Sequence, residues 1–384
     1  LSSNKYDIII AGGGLSGLSL AWYLAKGGYK GEVLVVDATF APSNRKTWCF
    51  WSKEKAPFHE IVYKKWRKSF FSALDYDAFL YMIDHSYYCI RESDFKEYVL
   101  TELKQRKNFH LLEESILDFS SNQKKAALVT KSSDTFLADY IFQSIFQPTP
   151  EENKKPKYPL VQHFLGLEIK TNIPVFDPET FTIMDFDENF DGGVAFIYVL
   201  PFRQNRALVE YTIFSTTPLK EKKEYSKKIK IYLQDKFNLS REDYQIKRKE
   251  YGEIPMEDSP YMPTYAPKII NIGTVGGLTK PSTGYTFMRI QQYSKKLADS
   301  IINGEEVPLP TQSESRYRYY DLLLLHIMSN SSTDSLKVFR DLFKNNPVDN
   351  IFDFLSEDTS FGQDLKIMNS VPYKPFLKAI AKNL

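Results

Sequence analysis

The sequence predicts an α/β protein: a Rossmann-type dinucleotide-binding domain, an antiparallel β-sheet domain, and a helical C-terminal region. Three observations predict it. A strand, glycine turn, helix and second strand ending in an acid occupy residues 6–37. A second glycine-bearing strand-to-helix turn comes at 269–285, after a run of strands between 155 and 264. From 312 onward the pattern is helical, with four leucines clustered at 322–325.

The first unit reads YDIIIAGGGLSGLSLAWYLAKGGYKGEVLVVD. In its G-x-G-x-x-G spacing, Gly12 permits the tight turn and Gly14 lets a pyrophosphate approach the backbone. Gly17 lets the helix pack close to the strand. The helix at 18–27 aims free N–H groups and its positive dipole end at the phosphates. A strand at 32–36 ends in Asp37, placed to hold a ribose hydroxyl. The order of parts specifies a dinucleotide with an ADP half, but this unit alone does not separate FAD from NAD.

Composition narrows the class. The chain has 384 residues, 42% hydrophobic, which is ample for more than one core. A net charge of +2, with no basic run interleaved with aromatics, argues against nucleic acid. Cys49 and Cys89 are the only cysteines, so a reducing, cytoplasmic setting is expected, without a leader peptide. Five scattered histidines and no Cys/His cluster argue against a metal. No apolar run approaches the length of a membrane span.

In order along the chain, Arg45 opens RKTWCFW, where its cation serves either a surface π contact or the nucleotide that Asp37 holds. Residues 64–71 and 76–83 read as aromatic-faced strands, and part of 50–90 is a candidate lining for the substrate site. A helix follows from Ile90 to about Lys104 with Ser93 as N-cap. Strands are expected at 109–112, 116–119, 125–130 and 140–142, completing a first segment at 1–150. A charged, proline-bearing linker at 148–159 marks the boundary to a sheet domain at 155–264. Its strands lie at 162–170, 182–185, 194–200, 206–213 and 244–251, and a charged helix at 221–237 covers them. The chain returns to the nucleotide domain at 265–305, where Gly273, Gly276, Gly277 and Gly284 shape a second turn. Ser282 or Thr283 would cap the next helix there. NAD-only dehydrogenases rarely need such a second site, so this turn favours FAD. In the helical region 306–384, the stretch 378–382 is basic and partly apolar: an ordinary terminal helix, or a contact with a membrane surface.

Two acids stand among apolar neighbours. Glu210 shares a strand face with Leu208 and Thr212, opposite the apolar strand Phe196, Ile197, Tyr198, Val199 and Leu200. It is either an acid kept protonated by low dielectric or a strand acid paired with Arg203 or Arg206. Asp185 is open to the same two readings.

The segments IIIAGGGLSGLSLA, RKTWCFW, QHFLG, FDPETFTIMDF, FIYVLPF, LVEYT, GEIPM and IGTVGGLTKPSTGYTF follow one another in this order, with FDFLSEDTS near the end. In that order the chain resembles the lycopene cyclases of carotenoid biosynthesis over nearly its whole length. The resemblance implies a p-hydroxybenzoate hydroxylase-like flavoprotein fold. It also implies cyclisation of the ψ ends of lycopene, drawn from a membrane surface, with reduced FAD and NAD(P)H as reductant. The family's F-L-E-E-T motif falls on Leu208–Thr212. Its first acid is Glu210, while Tyr211 replaces its second, which questions a carboxyl pair at that motif. An apolar substrate needs a water-excluding aromatic pocket, for which Tyr198, Tyr285 and Asp185 are the expected contacts. The rival readings are a flavin monooxygenase and a carotenoid-binding flavoprotein without activity.

Overall fold

The computed structural model describes residues 4–43, 46–146, 155–311 and 313–383. The chain begins β1 (Lys5–Ala11), α1 (Leu15–Lys26) and β2 (Val33–Asp37). β1 and β2 pair in parallel, Ile8 to Val33 through Ala11 to Val36. Both are buried on their two faces, which suits their β-branched runs. α1 buries Leu18, Leu20, Ala21, Leu24 and Ala25 against them.

A small sheet follows from β3 (Thr47–Ser52), β4 (Lys64–Trp66) and, later, β7 (Ser86–Arg91). Between them β5 (Lys68–Ala73) and β6 (Tyr76–Tyr81) leave the nucleotide domain and join the second sheet, β5 parallel to a strand from beyond residue 180. α2 (Glu92–Lys104) starts later than the pattern suggested. Ile90 and Arg91 stay in β7, and Arg91 rather than Ser93 holds the N-cap position. Pairing with β3 decides this, because the Thr47 to Arg91 register extends the ladder to its last residue. β8 (Phe109–Glu113), β9 (Ile116–Ser121), β10 (Ala126–Thr130) and β11 (Thr135–Gln143) complete this part. Most of the expected linker lies outside the described residues.

The second sheet is built from β12 (Leu160–Thr171), β13 (Thr180–Phe186), β14 (Val194–Arg203), β15 (Arg206–Ser215) and, after α3 (Lys222–Phe237), β16 (Tyr244–Met256). Its strand order is β16-β12-β15-β14-β13-β5-β6, so β12 runs between β15 and β16. One face packs on α3 through Val209, Tyr211 and Ile213, which meet Tyr225, Ile229 and Leu233. Burying each of those apolar side chains is worth about 1.5–3 kcal/mol. The lysines of α3 lie mostly on its exposed side, so the helix is a solvated cover.

β17 (Thr264–Ala266) and β18 (Ile269–Asn271) bring the chain back beside β11 in the first sheet, whose order is β17-β18-β11-β1-β2-β8. α4 (Phe287–Ile302) packs against α1. The remainder is helical: α5 (Ser315–Asn330), α6 (Ser332–Asn345), α7 (Val348–Leu355), α8 (Phe361–Asn369) and α9 (Tyr373–Asn383). These helices cover the other face of the second sheet, where Leu325, Phe339, Phe343 and Phe352 meet Phe71, Phe186 and Phe196. Buried Lys280 pins them to the return turn through Asp321 of α5 and Glu357, at 3.1 and 2.9 Å. Among the described residues no helix is long and apolar enough to cross a membrane.

Candidate active site

The site has two halves, a nucleotide cradle and a buried carboxyl centre. In the cradle, Gly12 adopts φ of +113°, which L side chains rarely take, and Gly17 sits so close that a Cβ would stand 1.9 Å from the Gly12 carbonyl. Gly14 faces open space. α1 starts there with no side-chain cap and no acid in its first turn, so its N–H groups are free to meet an anion. Asp37 accepts from the backbone N–H groups of Gly13 and Thr39, which fixes its carboxylate beside the glycine turn.

The second turn closes on the first. Gly273, at φ +68°, touches Ser16 of α1, while Gly276 and Gly277 pack on Asn271 and Tyr261. Gly284, at φ +70°, leaves room for Gln162 of β12. α4 also starts without a side-chain cap, but Thr286 holds the N-cap position. The expected caps serve elsewhere: Ser282 donates to Asp321, and Thr283 accepts from the Tyr285 N–H. The Ser16 hydroxyl and the Gln162 carbonyl oxygen are buried without a partner, one at each turn. Orphaned polar groups and two uncapped helix starts around open glycines fit a bound dinucleotide. Arg45 lies outside the described residues.

The carboxyl centre lies on the sheet face covered by the C-terminal helices. Glu210 of β15 stands opposite Gly166 of β12, and Gly166 stands opposite Glu250 of β16. Strands two apart are normally separated by the side chain of the strand between them. Here that residue is glycine, and the side chains of the two glutamates come together over it. A methyl on Gly166 would sit 2.9 Å from Glu250 Cγ and 3.3 Å from Glu210 Oε2.

The environments of the two differ. Arg248 Nη1 binds Glu250 Oε2 at 2.6 Å, and the Thr47 hydroxyl donates to the same oxygen at 2.8 Å. Among the described residues, Glu210 has only the Thr212 hydroxyl at 2.9 Å as a hydrogen-bond partner. Burial, then the neighbouring Glu250 charge, pushes Glu210 well above the usual carboxylate range. Burial raises Glu250 as well, but Arg248 and Thr47 pull it back, so Glu210 is the better site for a proton of the two. Arg248 leads on to Glu168, which also receives Arg91 at 3.0 Å and Arg206 at 2.6 Å.

Aromatic residues surround Glu210. Tyr198 is its cross-strand partner, and Tyr285 and Tyr87 stand close to Tyr198. Burial pushes Tyr285 up to about 12 and Tyr198 well above its ordinary value, so these phenols stay neutral. Trp51 stacks on Phe352 and meets Tyr285 edge-on at 4.3 Å. Cys49, opposite Cys89 in the β3–β7 ladder and with its thiol pKa pushed up by that neighbour and by burial, completes the wall. Cys49 and Tyr285 also line a cavity of about 460 Å³ that extends to Phe287 and Arg289 at the start of α4. Carboxyl centre and second turn thus share a boundary.

Asp185 corrects an expectation. It pairs with Lys236 at 3.3 Å and accepts from Tyr232 at 2.9 Å, both on α3. It stands opposite Ile197, on the sheet face away from Glu210. An irregularity in β13 between Thr182 and Asp185 sets that side. Glu250 was missed by sequence reasoning. Its signal was the glycine in QHFLG, legible only with the strand order known.

This geometry defines a two-domain protein of the p-hydroxybenzoate hydroxylase-like fold. Solved structures agree: a flavoprotein/dehydrogenase from Cytophaga hutchinsonii aligns with a TM-score of 0.60 at 14% identity, over 99% of each chain. The p-nitrophenol 4-monooxygenase of Pseudomonas putida aligns at 0.55 and 11%, over 98% of this chain and 97% of that one. The sequence matches the family described as lycopene cyclase protein over residues 7–381, and the chain belongs to that family. Among curated relatives, a lycopene beta-cyclase of Pseudescherichia vulneris is 24% identical over 79% of this chain and 76% of its own length. A chloroplastic neoxanthin synthase of Solanum tuberosum is 23% identical over 78% of this chain, which spans 61% of that protein.

Proposed function

We propose that this chain is a lycopene β-cyclase, turning the linear ψ ends of lycopene into the β rings of γ- and β-carotene without net redox change. The observation that carries this reading is a buried carboxyl, Glu210, set beside a second acid within an aromatic wall, where burial pushes its pKa up. A hydrocarbon offers no hydrogen-bonding handle, so shape and exclusion of water must position it. Tyr198, Tyr285 and Trp51 supply that surface. Glu210 delivers its proton to C2 of the terminal C1–C2 double bond, leaving a tertiary cation at C1. The 5,6 double bond attacks C1 and moves the cation to C5, and loss of the C6 proton gives the β ring.

FAD is the cofactor proposed, kept reduced by NAD(P)H; bound, it would supply negative charge that steadies the cation. Gly12, Gly14, Gly17, Ser16 and Asp37 would hold its ADP half. Gly273, Gly276, Gly277 and Gly284, with the start of α4, would hold the flavin end. The substrate lives in lipid, so the protein would dock on a membrane from the cytoplasmic side. Exposed Phe361, Leu365, Tyr373 and Leu377 on α8 and α9, with Lys374, Lys378 and Lys382 beside them, suit an anionic surface.

The test is anaerobic incubation of the protein with FAD, NADPH and liposomal lycopene, followed by chromatography. A β-ring product without stoichiometric NADPH loss supports the cyclase. A hydroxylated product that appears only with oxygen would transfer the site to the monooxygenases whose fold it shares. Lycopene recovered unchanged would leave only carotenoid binding.

A further inference from the structure

Resting on the cyclase reading, we propose that Glu250 is the positioning residue of a one-proton carboxyl dyad with Glu210, and that Gly166 is the residue that lets the dyad form. The family motif supplies a single acid on β15, since position 211 is tyrosine. Tyr211 points to the α3 face and donates to Asp187 at 2.8 Å, so it is no substitute. The second carboxyl comes from another strand, 40 residues further on, and arrives only because β12 carries no side chain between the two.

The groups around the dyad explain its division of labour. On β16, Arg248 binds Glu250. From β3, Thr47 donates to it and the Cys49 thiol stands nearby. From β14 and the turn before α4, Tyr198 and Tyr285 face Glu210, with Thr212 on its own strand. From β12, Glu168 holds the far side of Arg248 and gathers Arg91 and Arg206. Arg248 and Thr47 thus make Glu250 the more readily ionised of the two, and the proton is left to Glu210. When Glu210 gives up that proton, the two carboxylates and Glu168 together face three guanidinium groups, so the doubly ionised dyad is balanced in charge.

The proton balance of the reaction then closes within the site. The O–H bond of Glu210 breaks as the C2–H bond forms. After ring closure the C6–H bond breaks, its electrons form the C5–C6 double bond, and the proton returns to the dyad. One proton leaves and one returns, so no outside acid or base is needed.

The test uses the full-length protein and two independent readouts. The first is a pH titration, by infrared difference spectroscopy, of the carbonyl band of a protonated carboxylic acid, with no carotenoid present. A band surviving above neutral pH and absent in Glu210→Gln assigns the proton. In Glu250→Gln, which keeps shape and removes the neighbouring anion, the titration should move to lower pH. Gly166→Ala, which pushes the side chains apart, should move it the same way. The second readout is the pH profile of cyclisation: its alkaline limb should move down with the band, costing about tenfold in rate for each unit moved. An unmoved titration in a folded Glu250→Gln protein would overturn the dyad, whatever the activity. A moved titration in a protein that makes no ring would keep the dyad and remove the cyclase reading instead. Should Gly166→Ala fail to fold, Glu250→Gln decides.

Discussion

Replacing Glu210 by glutamine separates a protonated acid from an ordinary strand carboxylate. Glutamine still accepts from Thr212 and can donate an amide N–H towards Glu250, so packing is preserved. The linkage is what changes. The folded protein keeps a proton that the unfolded chain releases above about pH 4.3. Wild-type folding is therefore increasingly opposed as pH rises from that value to the raised folded pKa of Glu210. The glutamine variant has no proton to retain and escapes that penalty. Its stability advantage should grow by about 1.4 kcal/mol per pH unit in this window. At about 2 cal/mol/K of unfolding entropy per residue over 384 residues, that widens the Tm gap by roughly 2 °C per unit. The assay is thermal unfolding of both proteins from about pH 5 to about pH 8. Cyclase activity of the same variant should fall roughly 10²- to 10⁴-fold, the usual range for a lost general acid. A Tm difference that stays flat across those pH values would refute the reasoning, because it would mean that Glu210 is ionised in the fold.

Three further outcomes are expected. Gly17→Ala puts a methyl 1.9 Å from the Gly12 carbonyl and should force α1 off β1; flavin retention, read by absorbance after gel filtration, should be lost, with about 1–3 kcal/mol of stability. Lys280→Ala strands Asp321 as a buried acid without its cation, while Glu357 keeps Arg289, so the urea midpoint should drop by an amount worth about 3–5 kcal/mol. Tyr373→Ser with Leu377→Ser removes two exposed apolar side chains of α9 from the proposed docking face. Co-sedimentation with anionic vesicles should weaken about tenfold or more, while flavin binding stays unchanged.

Much of the molecule was legible as local pattern. The glycine turns, α1, the charged cover helix α3 and most strands of the second sheet follow from spacings within a dozen residues, where the chain's own sterics decide. The alternation along β15 likewise assigned Glu210 to the face of Leu208 and Thr212 before any fold was known. What sequence left open depended on partners. Ser93 has the chemistry of a cap, yet β3 holds the preceding residues in a ladder. Asp185, like Glu210, stands between apolar neighbours, yet an irregularity in β13 turns it to α3.

By itself, then, the sequence determined a glycine turn suited to a dinucleotide, a sheet domain whose family motif holds a single acid, Glu210, and the resemblance to a family. Tertiary structure alone decided that this acid is not lone. Hydrophobic periodicity encodes which face a side chain takes, because burial is a property of each residue. Strand order is a property of pairs far apart in the chain, and only the order β16-β12-β15 sets a glycine between two glutamates.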